Sequence, residues 1–85
     1  PEAIARLREA VRHDPRHFPA RRTLGLCLCV TGEHAAAIAV GEVSRMLTRN
    51  HPEVLWPLFL SYAFNGDAAR AREMLAVLKP HIPPD

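Results

Sequence analysis

The sequence predicts an all-α fold, a solenoid of stacked antiparallel helical hairpins that contains five helices. One observation is the 34-residue period that separates Gly32 from Gly66 and is typical of stacked helical hairpins. A second is the spacing of apolar residues by three and four, as on one face of a helix. A third is that no segment shows the alternation of a half-buried strand. Other pairs at the 34-residue spacing are Leu24 and Leu58, Leu26 and Leu60, and His17 and His51.

The composition is that of one small globular domain. The chain has 85 residues, an apolar fraction of 48% and a formal net charge of +2, and a chain of this length forms at most one domain. It has no apolar run of membrane-spanning length, and the residues at its start show no charged-then-apolar pattern, so we expect no secretory leader. We therefore expect a cytoplasmic protein. Because the chain begins at Pro1 rather than Met, we also expect it to be a trimmed or excised segment.

The first two helices are predicted at residues 2–13 and from Pro19 to about Thr31. Proline disfavours helical geometry in the residue before it, so Asp14-Pro15 ends the first helix. Pro19 opens the second, because a first-turn proline loses no internal hydrogen bond. Gly32 supplies the permissive backbone that the chain needs to leave that helix. The apolar stripe of the first helix is Ile4, Leu7 and Val11.

The last three helices are predicted at about residues 33–49, at 54–65, and from Asp67 to Pro80. Pro57 is awkward in the fourth helix, since proline is tolerated only in the first turn. We therefore expect that helix to begin late or to bend. Asn65-Gly66-Asp67 combines a left-handed exit with an N-cap. Short connections make consecutive helices antiparallel neighbours.

Three aligned copies of this pattern resemble tetratricopeptide repeats, whose 34-residue consensus is W-x2-L-G-x2-Y, A-x3-F and P. The resemblance implies a right-handed solenoid over residues 1–85. Its units would be the second half of a first repeat (2–16), a middle repeat (17–52), a last repeat (53–80) and a frayed tail (81–85). The middle unit has Arg21, Leu24, Gly25, Leu28, Gly32, Ala37 and Gly41 at the consensus positions. The last unit has Leu55, Leu58, Phe59, Tyr62, Gly66, Ala71, Leu75 and Pro83.

The chain departs from the consensus at several positions. Arg21 and Leu55 stand where an aromatic residue is expected, and the closing proline of the middle unit falls at Pro52. The late proline predicts a longer third helix and a shorter fourth. Gly41 and Ser44 leave one side of the third helix nearly bare. Either a neighbouring helix approaches closely there, which we favour, or a hole is left for a partner's side chain.

The resemblance also implies a binding surface, because the first helix of each hairpin in this family lines the concave side. The implied groove residues are Arg22, Leu26, Cys29, Val30, Trp56, Leu60, Ala63 and Phe64. The core-facing residues Leu24, Leu28, Leu58 and Tyr62 lie off this stripe. Some family members hold a terminal carboxylate with Lys and Asn at these positions. The positions are largely apolar here, so we do not expect that mode.

A shallow apolar groove suits an amphipathic helix, whose residues at i, i+3, i+4 and i+7 serve as anchors. Trp56 and Phe64 are candidate hot spots, because aromatic residues bury much area for little lost freedom. We therefore expect a scaffold that binds a protein or peptide partner.

The same apolar surfaces leave a second interpretation open, in which the chain is a self-association module that forms homodimers. The groove would then be covered by a second copy; the fifth helix or missing repeats are further candidates. The stripe Ile4, Leu7 and Val11 has no preceding repeat to cover it, which favours dimerisation or a larger parent protein.

Other classes of function have little support. Residues 1–22 carry six arginines and a net charge of +3, which could track the phosphates of a nucleic acid. Phe18 is the one aromatic residue among them and acidic residues dilute the charge, so nucleic-acid binding is the less favoured alternative. The five histidines are scattered over different junctions, so we expect no metal site. Cys27 and Cys29 are about 200° apart on a helix and are expected to be reduced. There is no glycine-rich phosphate loop and no nucleophile elbow. We predict no enzyme activity, no catalytic residues and no cofactor.

Overall fold

Five α-helices and a short 3-10 turn make up the folded chain in a computed structural model that describes residues 2–83. The helices are α1 (Glu2–His13), α2 (Phe18–Val30), α3 (His34–Leu47), α4 (Pro52–Phe64) and α5 (Ala68–Leu78), with the turn at Lys79–His81. Over the described range there is no strand, which confirms the all-α prediction and the five helices. Residues 1, 84 and 85, the last two in the predicted frayed tail 81–85, lie outside the described residues.

The 34-residue period reappears in the helix boundaries. Helix α4 begins and ends one full period after α2, and α5 begins one full period after α3. Gly32 and Gly66, which follow α2 and α4, have φ values of 83° and 82°. The amide after each glycine donates to a carbonyl five residues earlier over 2.9 Å, as in a Schellman turn. The connections between α2 and α3 and between α4 and α5 therefore have the same backbone geometry.

The junction between α3 and α4 differs from the prediction. α3 ends at Leu47 rather than near residue 49, and α4 begins at Pro52 rather than 54. Pro52 takes the first helical position, where its missing amide costs nothing. The preceding residue, His51, caps α4 because its Nδ1 accepts a hydrogen bond from the Glu53 amide over 3.1 Å. The predicted shortening of the fourth helix was wrong, since α2 and α4 both have 13 residues.

Pro57 lies inside α4, five residues after its first residue, so the predicted late start was wrong. The proline ring is buried, and the Ser61 hydroxyl donates to the Pro57 carbonyl over 2.7 Å. A Cβ placed on Gly25 of α2 would lie 3.1 Å from the Pro57 Cβ. Gly25 thus leaves room for the ring, and close packing against α2 retains a proline that an isolated helix would disfavour.

Two apolar clusters form the core. The cluster between α4 and α5 contains Leu55, Leu58, Tyr62, Ala71, Met74 and Leu78. The cluster between α2 and α3 contains Leu24, Leu28, Cys29 and Ala37, with Ile4, Leu7 and Val11 of α1 packed against it. The apolar stripe of α1, which was expected to lie open, is half-buried against this cluster, and no residue of α1 is fully buried.

Gly41 permits the closest approach between α3 and α4. A Cβ at Gly41 would meet Leu58 Cδ1 at 2.6 Å and Leu58 Cβ at 3.0 Å. Of the two alternatives for this bare stretch, the structure therefore shows close packing and not a hole. α4 also packs against α2 and α5, so three helices surround it. None of the helices in residues 2–83 combines the length and the apolar character that a bilayer crossing requires.

Candidate functional site

The residues of the predicted groove occupy matched positions on α2 and α4, which pack against each other. Residues 22, 26, 29 and 30 on α2 correspond to 56, 60, 63 and 64 on α4 at the 34-residue spacing. At 100° per residue, each set of four falls within an arc of about 100°. We call these eight residues the α2/α4 face.

Three large apolar side chains on this face are exposed. Val30 is 84% exposed, Phe64 is 65% exposed and Trp56 is 41% exposed. Val30 and Phe64 are the last residues of α2 and α4, so the same position of the repeat presents an apolar side chain to solvent twice. Single exposed apolar residues are ordinary on protein surfaces. Here an exposed apolar residue recurs at the equivalent position of two adjacent helices, so the exposure follows the repeat.

An apolar cavity of about 290 Å³ lies beside this face, between α1 and α2. Leu26 and Val30 of the predicted set line it. The other lining residues are Ala3, Ile4, Cys27 and Thr31. The sequence placed Ile4 in the apolar stripe of α1 but assigned Ala3, Cys27 and Thr31 to no site, because the contact between α1 and α2 is set by tertiary packing. Trp56 and Phe64 do not line this cavity.

Two of the predicted groove residues, Cys29 and Leu60, are turned towards the core and do not line the exposed surface. Cys29 is only 4% exposed and belongs to the core between α2 and α3. Leu60 is half-buried and packs against the same core. Leu60 thus joins α4 to the core in which Cys29 lies, so the surface offered to a partner comes from the neighbours of these two residues. Ala63 is exposed next to Phe64.

The N-terminal end of the face is polar. Arg22 Nε lies 3.3 Å from Glu53 Oε1, and both side chains are about half exposed. This ion pair joins α2 to α4 at the surface.

Trp56 packs edge-on against Phe59 with ring centroids 5.9 Å apart, which is a favourable aromatic geometry. One side of the Trp56 indole therefore contacts Phe59, and the rest of the side chain is accessible to solvent.

The C-terminal end carries Phe64 next to His34, the first residue of α3. Their ring centroids are 6.3 Å apart and the planes are inclined by 46°. The Nδ1 atom of His34 is buried and has no hydrogen-bond partner within residues 2–83. A buried polar atom without a partner is costly, so the ring position is set by packing against its neighbours. The side chain of His34 as a whole is half-buried.

A polar contact on the far side of α4 fixes the orientation of this helix. The Tyr62 hydroxyl donates to Glu42 Oε2 of α3 over 2.5 Å, and Arg70 of α5 lies over the Tyr62 ring. Burial raises the pKa of Tyr62, and the neighbouring Glu42 carboxylate raises it further. Because Tyr62 ties α4 to both α3 and α5, the opposite side of α4 presents its side chains in a defined direction.

Ionisable side chains are few on the α2/α4 face, which is mainly apolar. Residues 2–83 contain no group of three or more His, Cys, Asp or Glu side chains placed to hold a metal ion. Cys27 and Cys29 are free thiols, and Arg22 is the single ionisable residue of the α2/α4 face other than Cys29. This face can exclude water from an apolar surface and add a charged rim.

Comparison of the chain with protein-family models, with curated proteins and with solved structures found no match in any of the three. The functional interpretation therefore depends on the geometry of the chain itself.

Proposed function

We propose that this chain is a helical-repeat module that binds an amphipathic helix of a partner protein on the α2/α4 face. One observation carries the proposal: the last residues of α2 and α4, Val30 and Phe64, are both large, apolar and mostly exposed. A monomer gains nothing from two such side chains in water. Large apolar side chains that are exposed on two packed helices beside a charged rim favour a protein interaction site.

The dimensions of the face support a helical occupant. Trp56 and Phe64 are eight residues apart, which is about 12 Å along α4. Residues i and i+7 of a partner helix are about 10.5 Å apart on one face, so two turns of such a helix span the distance between the two rings. The 290 Å³ cavity beside Leu26 and Val30 offers space for one further apolar side chain of the partner.

We further propose that the hairpins stack as a right-handed solenoid similar to tetratricopeptide repeats. The matched boundaries of α2 and α4, the two Schellman turns and the contact of α2 with α4 support this arrangement. We place the module in the cytoplasm, where thiols such as Cys27 and Cys29 stay reduced.

A library of amphipathic helical peptides displayed on phage tests the proposal, with the purified 85-residue chain as bait. We expect selected peptides to lose affinity by tenfold or more for the variant Phe64→Ser, because an aromatic anchor contributes about 2 kcal/mol or more. The variant Met46→Ser is the matched control, since Met46 is 76% exposed but lies on α3. Equal losses for the two variants would contradict the proposed face.

Self-association is the competing function, and light scattering over a range of concentrations separates it from partner binding. The exposed residues Val30 and Phe64 favour it equally, whereas the half-buried stripe of α1 does not. A wild-type dimer that Phe64→Ser converts to a monomer would replace the proposal with homodimerisation. A wild-type monomer of 9.5 kDa that binds selected peptides would support it.

A further inference from the structure

A second cavity, of about 200 Å³, lies between α1, α2 and α3. It shares no residue with the α2/α4 face. Its lining residues are Arg8, Val11, Arg12, Arg21, Leu24 and Val40. This small cavity is lined by three arginines and three aliphatic residues. The proposed binding of an apolar helix on the α2/α4 face does not use it.

Arg21 is the most unusual residue of this cavity. It is only 7% exposed, although arginine is rarely buried without a charged partner. Its Nε donates to the Pro15 carbonyl, and its Nη1 donates to the Ser44 hydroxyl over 3.0 Å. The Ser44 hydroxyl in turn donates to the Val40 carbonyl over 2.6 Å. Each acceptor is neutral, so the positive charge is oriented but not compensated.

The guanidinium group retains donors that the protein does not use. Arginine has five N–H donors, and the hydrogen bonds to Pro15 and Ser44 occupy two of them. Nη2 has no hydrogen-bond partner among residues 2–83 and is not shut off from solvent. No carboxylate in that range forms an ion pair with Arg21. Burial lowers the pKa of Arg21, since desolvation disfavours the charged form. Ionisable groups perturbed by burial are enriched at functional sites, and here the unused donors of Arg21 adjoin a cavity.

The neighbouring arginines add to this positive charge. Arg12 is paired with Glu9 at the surface, so it contributes a donor group but little net charge. Arg8 has no ion-pair partner in the part of the chain that the structure describes, and its side chain is exposed at the cavity. Arg8 and Arg21 therefore supply two uncompensated positive charges. A ligand with two negative charges at one end would balance them.

We propose that this cavity binds a small phosphate monoester, whose oxygens accept hydrogen bonds from Arg21 Nη2 and from the guanidinium groups of Arg8 and Arg12. Arginine is suited to this role because its planar donors match phosphate oxygens in pairs. Val11, Leu24 and Val40 form the wall that an aliphatic substituent of the ester contacts. The cavity is smaller than the pockets that hold drug-sized ligands, which start at roughly 300 Å³, so the ligand is a small molecule.

Solution NMR of the 85-residue chain at constant ionic strength tests the site, with the Arg21 side-chain Nε–H resonance as the probe. The titrants are butyl phosphate, inorganic phosphate, butyrate and sodium chloride. We expect a saturable shift with butyl phosphate, a weaker one with inorganic phosphate because it leaves the aliphatic wall uncovered, and a weaker one with butyrate because it has a single charge. A response to sodium chloride equal to that of butyl phosphate, or butyrate binding as tightly as the phosphate ester, would overturn the proposal.

A pair of variants on α1 separates a specific site from the general positive charge of this end of the chain. Arg8→Gln removes a cavity residue, whereas Arg6→Gln removes the same charge from an exposed residue that pairs with Glu2 and does not line the cavity. We expect Arg8→Gln to weaken butyl phosphate binding by about tenfold, as for one charge-assisted hydrogen bond, and Arg6→Gln to change it by less than twofold. Equal effects of the two substitutions would show nonspecific attraction and refute the site. Both residues are exposed, so neither variant threatens the fold.

Discussion

The ring of Phe18 stacks on the imidazole of His51, with centroids 3.9 Å apart and planes inclined by 18°. Phe18 is the first residue of α2, and His51 is the N-cap of α4. The stack therefore joins the starting points of the two helices that form the proposed binding face. The Arg22–Glu53 ion pair joins the same two helices close by, four residues after Phe18 and two residues after His51.

The variant His51→Ala is expected to lower the free energy of unfolding by about 2 kcal/mol. It removes an N-cap, which contributes about 1 kcal/mol, and an aromatic stack, which contributes about 0.5–1.5 kcal/mol. Urea denaturation followed by circular dichroism measures the change. His17→Ala is the control, because His17 is the N-cap of α2 but makes no capping hydrogen bond with its side chain. A similar loss for both variants would argue against a special role of the stack.

Gly41→Ala is expected to destabilise the chain by up to about 2 kcal/mol. Alanine gains about 1 kcal/mol over glycine in a helix, but the new Cβ would meet Leu58 Cβ at 3.0 Å. A β-carbon cannot rotate away, so α3 and α4 must separate, and such overpacking costs about 1–3 kcal/mol or more.

Gly25→Ala provides the comparison for Gly41→Ala. The nearest atom to its Cβ is Pro57 Cβ at 3.1 Å, with the next atom at 3.8 Å, so fewer atoms must move and the loss is smaller. The double variant Gly41→Ala/Leu58→Ala should lose less than the sum of its parts, since removing the leucine side chain relieves most of the clash. Additive losses in urea denaturation would show that the contact between residues 41 and 58 does not limit the packing.

Alkaline titration should destabilise the chain through Tyr62. Burial and Glu42 raise the pKa of Tyr62 above its ordinary value of 10.0. As the pH rises, the Tyr62 phenol therefore loses its proton at a lower pH in the unfolded state than in the folded state. The stabilisation that this difference in pKa gives the folded state is fully present below pH 10 and is lost as the pH rises through the raised pKa. Tyr62 is the only tyrosine of the chain, so tyrosinate absorbance in the near ultraviolet reports its ionisation alone.

Glu42→Gln distinguishes the two causes of the raised pKa of Tyr62. The substitution removes the carboxylate, so the pKa should fall part of the way towards its ordinary value. Burial, which is the larger cause, should keep it raised. A midpoint identical to that of the wild type would show that Glu42 does not interact with the phenol in solution.

The two cysteines should differ in reactivity and report on the apolar cavity. Cys27 is half-buried and lines the 290 Å³ cavity, whereas Cys29 is buried in the core. Iodoacetamide should therefore label Cys27 first, and Cys29 only when the chain unfolds. A peptide that occupies the cavity should slow the labelling of Cys27. Mass spectrometry with Cys27→Ser as the control measures both rates, and comparable native rates for the two thiols would contradict this arrangement.

Much of the fold could be predicted from the sequence because local signals agreed with the 34-residue period. Gly32 and Gly66 marked the ends of α2 and α4, and apolar spacing identified the core residues Leu24 and Leu58. Pro57 misled the prediction, since its tolerance depends on the space left by Gly25 in a different helix. Non-local packing of this kind has no signature within a sequence window.

The sites could be predicted only in part. The pattern identified the exposed residues Val30 and Phe64, but it could not show that Cys29 is turned into the core. Arg21 was recognised as a departure from an aromatic consensus position. Its burial beside Ser44 depends on how α2 packs against α3, which the sequence pattern does not specify.

Helix α1 has a consequence for how the two cavities behave. It packs mainly against α2, yet it supplies Ala3 and Ile4 to one cavity and Arg8, Val11 and Arg12 to the other. A substitution that displaces α1 would therefore alter the walls of both spaces at once. If ligands of the two spaces favour different positions of α1, each would change the affinity for the other by the same factor.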